Sequence, residues 1–199
     1  MEKHLQDLKE IRLLMERSTK FLSLSGLSGI AVGVVALIAA FIVYSENIWH
    51  PINETVMATD HVSFLVSLAL ATFLCALLVG FIFTKRKANK IGEKVWNKLS
   101  QKLLIHLGIP LLVGGLFAFA LLVKGVIWPL AGLTLVFYGL ALINGSQFTF
   151  REIYYLGVCE IILGIIALFW VGYSLLFWAI GFGVLHIIYG ARMYNKYDK

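Results

Sequence analysis

Glu160 stands inside an apolar run, with Gly157 three residues before it and Gly164 four after. It lies eight positions past Glu152, which at 1.5 Å per residue puts it about 12 Å into a helix. A carboxyl that deep in a membrane is costly as a charge, so it faces a bundle interior or an aqueous path and takes a partner. Two chemistries fit: a proton- or cation-handling carboxylate, or a carboxyl that locks helices together. His186, on the stripe Ala179, Gly183, His186, Gly190, is the expected partner. Counted from the Val171-Gly172 turn, Glu160 is 11 to 12 residues back and His186 is 14 to 15 forward. Their depths then differ by about 4.5 Å. Histidine changes charge near neutral pH, so the pair reads as a pH-sensitive latch. If the two do not meet, Asn144 or Tyr138 is the next candidate partner for Glu160.

His106 lies near the same leaflet, but two residues from Gly108 and so off the small face of its helix. Asn144, Ser146 and Gln147 make the end of the fourth apolar run polar, as loop residues or as a vestibule. Glu160, His186, Asn144 and His106 form the candidate intramembrane polar site. A bis-histidine haem needs two facing histidines at matched depth; His106 and His186 match in depth but not in facing. Cys75 and Cys159 each sit within an apolar run and read as small packing residues. The sequence contains no H-E-x-x-H, no G-x-S-x-G, no metal-spaced Cys/His cluster and no phosphate loop. The expectation is a non-enzymatic protein with no cofactor and no metal.

The elements that must position these residues are membrane spans. The chain has 199 residues, 60% of them hydrophobic and 14% charged, against about 25% charged in soluble domains. Hydropathy predicts an all-α integral membrane protein with six transmembrane helices, each near the length needed to cross a bilayer. They run about Leu22–Tyr44, Val62–Thr84, Leu103–Val123, Ile127–Ile143, Ile153–Trp170 and Tyr173–Tyr189. The domain plan is an amphipathic helix over 1–20, a six-helix domain over 21–191 and a tail over 192–199. In the first segment Leu5, Leu8, Ile11 and Met15 recur at helical spacing; it reads as surface-lying or as a docking helix for a cytoplasmic protein. It lacks the apolar core and cleavage site of a signal peptide.

Charge sets the orientation. The net charge of +6 is concentrated beside the spans, not in a patch suited to nucleic acid. Lys85, Arg86, Lys87, Lys90, Lys94, Lys98 and Lys102 crowd 85–102, whereas 45–61 has three acids and no Lys or Arg. The positive-inside rule then makes both termini, 85–102 and 144–152 cytoplasmic. The 85–102 segment carries Ile91, Val95 and Leu99 as an apolar stripe, and is expected to rest as a helix on anionic headgroups. Trp49, Trp128 and Trp170 fall at the outer boundary.

Three spans share one spacing. Gly26, Gly33 and Ala36 in span 1, Gly108, Gly115 and Ala118 in span 3, and Gly157, Gly164 and Ala167 in span 5 all read glycine, seven residues, glycine, three residues, alanine. With Gly29 they are expected to face other helices, because in lipid small residues let backbones approach. Spans 4 and 6 align at a 45-residue offset that pairs Phe137 with Phe182 and Gly145 with Gly190. The reading is three repeated helical hairpins. Residues 157–167 through 188–190 resemble the HdeD-like family of six-span acid-resistance proteins, and Leu5 to Ile30 resembles uncharacterised membrane proteins of Bacteroidota. The HdeD-like resemblance implies a bacterial inner membrane and a stress role without a defined reaction. The function expected is a stress-related or regulatory scaffold, with a small channel or transporter using Glu160 as the alternative. A water-filled path to Glu160 would favour transport, and a dry interior the scaffold. Partner, substrate and oligomeric state are not written in these residues, and an oligomer is compatible with them. Reporter fusions at Lys199 and within 85–102 are expected to read cytoplasmic, and one at Asn53 external; an external C-terminus would break the six-span reading.

Overall fold

The computed structural model describes residues 21, 24–46 and 59–198. The segment 2–20, the loop residues 47–58 with Trp49 and Asn53, and Lys199 lie outside the described residues. Among the described residues there are six helices long and apolar enough to cross a membrane, and no strand. They are α1 (Gly26–Ser45), α2 (Thr59–Ile91), α3 (Lys98–Val123), α4 (Leu130–Gly145), α5 (Arg151–Phe169) and α6. The last begins as Ser174–Trp178, widens to a π-helix over Ala179–Leu185 and resumes as an α-helix over His186–Tyr197. Large apolar side chains such as Phe41, Leu78, Ile109, Leu112 and Ile162 are exposed, while Ala36, Ala39, Ala141 and Ala167 are buried. Small inside and large outside is the distribution expected where the surroundings are lipid.

Glycine decides which helices meet. The closest pairing is α4 with α5, followed by α1 with α6; α3 packs on α4 and α2 on α1. At the α4–α5 crossing a Cβ on Gly139 would lie 2.5 Å from the Gly157 carbonyl, and one on Gly157 would lie 2.7 Å from the Gly139 carbonyl. Two turns along, Gly132 and Gly164 repeat the arrangement, each 2.7 Å from the other's carbonyl by the same measure. Gly33 meets the Gly183 carbonyl of α6 at 2.7 Å, and Gly29 and Gly26 meet Gly190 at 3.1 and 2.5 Å. The tight contacts therefore join successive hairpins, α4 to α5 and α6 back to α1.

The structure corrects the reading of span 3. Among the described residues, no atom of another helix lies within 4 Å of a Cβ placed at Gly108 or Gly115. The helix contacts α4 through Gly114, where a Cβ would meet the Phe137 Cβ at 2.5 Å, and through Leu103 and Leu107 over Gly145. One residue is about 100° around a helix, so using Gly114 turns Gly115 away. On α2, Gly80 likewise meets nothing within 4 Å. Pro110 leaves α3 continuous.

Two more expectations change. The 85–102 segment is not one helix: α2 runs on to Ile91, Gly92 turns the chain at φ +72°, and α3 starts afresh at Lys98. The Asn97 side chain accepts from the Leu99 and Ser100 amides, and Ser100 Oγ accepts from the Asn97 amide, a capping box. The residues after 191 are not a separate tail, because α6 extends to Tyr197. Asp198 accepts from Ser25 Oγ at 3.0 Å and from the Gly26 amide at 2.9 Å, and pairs with Lys87 Nζ at 2.6 Å. The end of the chain thus caps the start of α1 and ties it to α2. Gly157→Leu is expected to cost about 1–3 kcal/mol by overpacking and to lower the folded yield in detergent, measured by thermal unfolding and size-exclusion chromatography. Gly115→Leu should leave both near wild type; equal losses would sink this account of the packing.

Candidate functional site

The Gly157 and Gly164 contacts fix the rotation of α5, and with it the direction of the residue between them. Glu160 is 0% exposed. Its carboxyl lies against Gly181 of α6: a Cβ on Gly181 would collide with Glu160 Oε2 and come 2.5 Å from Leu135 Cδ2. Glycine at 181 therefore leaves the room the carboxyl occupies.

His186 is 5% exposed and faces the same point. Its Nδ1 lies 3.4 Å from Glu160 Oε1, so the two residues meet as their depths predict. They do not form the simple ion pair that the latch reading assumes, because both ring nitrogens are engaged elsewhere. Nδ1 is 3.0 Å from the Gly181 carbonyl and Nε2 is 2.8 Å from the Tyr138 hydroxyl. A carbonyl only accepts, so Nδ1 carries a hydrogen and donates it to Gly181. In the neutral ring Nε2 then accepts from the Tyr138 hydroxyl. Glu160 Oε1 lies within ion-pair distance of the same nitrogen, but neither carboxyl oxygen has a hydrogen-bond partner among the described residues.

The π-helical turn makes this geometry. Gly181 is five residues before His186, and the i to i+5 spacing of a π-helix is uncommon outside functional or strained segments. Here the wider turn brings the Gly181 carbonyl to the imidazole of the residue that ends it. Phe182, between them in sequence, packs at 4.9 Å from the Tyr138 ring and 6.0 Å from the His186 ring. The cluster is thus held by three helices: Tyr138 from α4, Glu160 from α5, Gly181 and His186 from α6.

His106 and Asn144 come together elsewhere. The Asn144 side-chain amide donates to the His106 carbonyl at 2.9 Å, and His106 Nδ1 donates to the Lys102 carbonyl at 2.8 Å. The His106 ring packs on Phe148 at 4.6 Å. These contacts fasten α4 to α3 at the end of the bundle where α4 ends and α3 begins. Asn144 also borders an open groove of about 410 Å³ between α3 and α4, with Pro110, Phe137 and Gln147; Glu160 is not among its lining residues.

Sequence reasoning named Tyr138 only as a fallback partner for Glu160, whereas its hydroxyl goes to His186. It passed over Glu152, which is buried in the first turn of α5. Glu152 accepts from Lys196 Nζ at 2.7 Å and from the Tyr197 hydroxyl at 3.1 Å, joining the start of α5 to the end of α6. The available signal was an acid in a first turn opposite a basic final turn. Among the described residues no group of three or more His, Cys, Asp or Glu is arranged to hold a metal ion. No family model matches the chain, and neither a curated protein nor a solved structure does.

Proposed function

We propose that the chain is a non-enzymatic protein of a bacterial inner membrane, with its termini in the cytoplasm. It acts as a stress-related scaffold whose helix packing responds to pH through Glu160, His186 and Tyr138. The observation that carries this reading is the fully buried Glu160 carboxyl, 3.4 Å from His186 and without a hydrogen-bond partner among the described residues. A site with two proton-accepting groups and no other charged side chain paired with them among the described residues changes net charge with each proton gained or lost. Low local dielectric makes such a change expensive for the helices around it. Glycine contacts draw α4 to α5 and α6 to α1, so a charge change at the cluster acts on helices that are closely packed.

The packing of Gly181 against the carboxyl favours a scaffold over a conduit, since it leaves little room for water on that side of Glu160. The resemblance of the 157–190 hairpin to the HdeD-like family points the same way, toward acid stress. Transport remains the second reading, because an unpartnered intramembrane carboxyl also suits a proton pathway.

One experiment separates the two. Wild-type protein in liposomes loaded with a pH-sensitive dye is expected to leak protons no faster than empty vesicles. Its thermal midpoint should shift between about pH 5 and about pH 8, the range in which histidine changes charge. Glu160→Gln and His186→Ala should each shrink that shift. Proton flux abolished by Glu160→Gln would replace the scaffold with a transporter. A pH response unchanged in both variants would remove the role of the cluster.

A further inference from the structure

A cavity of about 520 Å³ opens between the first turns of α5 and the last turns of α6. Its lining is Arg151, Glu152, Tyr155, Tyr189, Arg192 and Lys196. We propose that this cavity binds the phosphate group of an anionic ligand, at a site separate from the Glu160 cluster and independent of its role.

Charge is the first argument. Glu152 would repel an anion, but its carboxylate is already engaged by Lys196 Nζ at 2.7 Å and by the Tyr197 hydroxyl at 3.1 Å. That leaves Arg151 and Arg192, and neither has a carboxylate partner among the ion pairs of the described residues. Two guanidinium groups facing one cavity, with a neutralised carboxylate between the helices, make a site of net positive charge. Arginine is the side chain whose planar fork matches phosphate oxygens.

Preorganisation is the second. The Arg151 guanidinium packs over the Tyr155 ring at 5.6 Å, which restricts it to the cavity side of α5. Tyr155 adds a hydroxyl donor from α5, and Tyr189, whose hydroxyl lies 3.9 Å from Cys159 Sγ, adds a second from α6. Phe150, at the N-cap of α5, provides no side-chain cap, so the first turn keeps a positive dipole end beside the cavity. This end of the helix contributes alongside the arginines and would not define a site without them.

Position is the third. One turn from Arg192, away from the chain end, Ile188 is exposed, and two turns from Tyr155 Ile162 is exposed. Helical spacing puts each on the same face of its helix as that cavity residue. A phospholipid placing its phosphate among Arg151, Arg192 and the two tyrosines would lay its acyl chains along Ile188 and Ile162. A soluble phosphate ester satisfies the same polar groups without using that apolar surface.

The test titrates the full-length protein in neutral detergent with phosphatidylglycerol, with phosphatidylcholine of the same chain length, and with inorganic phosphate, following the thermal midpoint. Saturable stabilisation by phosphatidylglycerol over phosphatidylcholine is expected. The combined Arg151→Gln and Arg192→Gln variant should weaken it roughly tenfold, the equivalent of about 1.4 kcal/mol. The Arg151→Lys and Arg192→Lys variant should retain part of the binding, and a Lys124→Gln variant, altered at the C-cap of α3 and outside the cavity lining, should bind as wild type. Stabilisation by inorganic phosphate with the same arginine dependence, and none by lipid, would support the phosphate site and assign it a soluble ligand. Absence of saturable binding by either, equal response to the two lipids, or binding unchanged in a folded double-arginine variant would overturn the proposal.

Discussion

Where α4 crosses α5, the backbones come as close as two helices can, because neither Gly139 nor Gly157 carries a Cβ. In lipid there is little hydrophobic force to push helices together, so contact has to come from atoms that can approach closely. Gly132 with Gly164, and Gly29 and Gly33 with the Gly183–Gly190 stretch of α6, extend the same solution around the bundle. The interior polar groups depend on it. Moving α5 outward by the width of a methyl group would open a void beside Glu160, and rotating it by one residue would aim the carboxyl at lipid.

The same constraint accounts for the π-helix. Glu160 needs space on the facing helix, and Gly181 gives it by having no side chain. His186 needs an acceptor for Nδ1–H, and the widened turn gives it the Gly181 carbonyl. One glycine therefore serves both the carboxyl and the imidazole, and ties the two through a single backbone unit. Tyr138 completes the arrangement from α4 with its hydroxyl on Nε2. At the other level of the bundle, Asp198, Lys87, Glu152 and Lys196 join the chain end to α1, α2 and α5, so the helices that carry the cluster are also fastened at their ends.

Much of this was legible in the sequence. The six apolar runs and the depth match of Glu160 with His186 follow from spacing alone, since a helix converts residue number into distance. Helix rotation did not follow. Gly108 and Gly115 share the spacing of Gly157 and Gly164 yet face outward, because a spacing rule fixes which residues share a face and not which neighbour that face meets. The missing information was on the partner helix: α4 and α6 carry their own glycines seven apart, Gly132 and Gly139, Gly183 and Gly190, whereas α2 has only Gly80. The break of the basic segment was readable from Gly92 and from the Asn97-to-Ser100 capping box. An amphipathic stripe through Ile91, Val95 and Leu99 outweighed those signals, although a stripe says nothing about whether the backbone between its members stays helical. The π-turn had no sequence signal apart from two glycines.

The account rests on Glu160 exchanging a proton inside a closely packed bundle, and infrared difference spectroscopy reads that event directly. Spectra of the protein in lipid, taken between about pH 5 and about pH 8 and subtracted, should contain a carboxylic-acid carbonyl band. That band should vanish in Glu160→Gln and move in His186→Ala. A wild-type difference spectrum without such a band, or one that Glu160→Gln leaves unchanged, would contradict a proton-responsive cluster and reduce Glu160 to a packing residue.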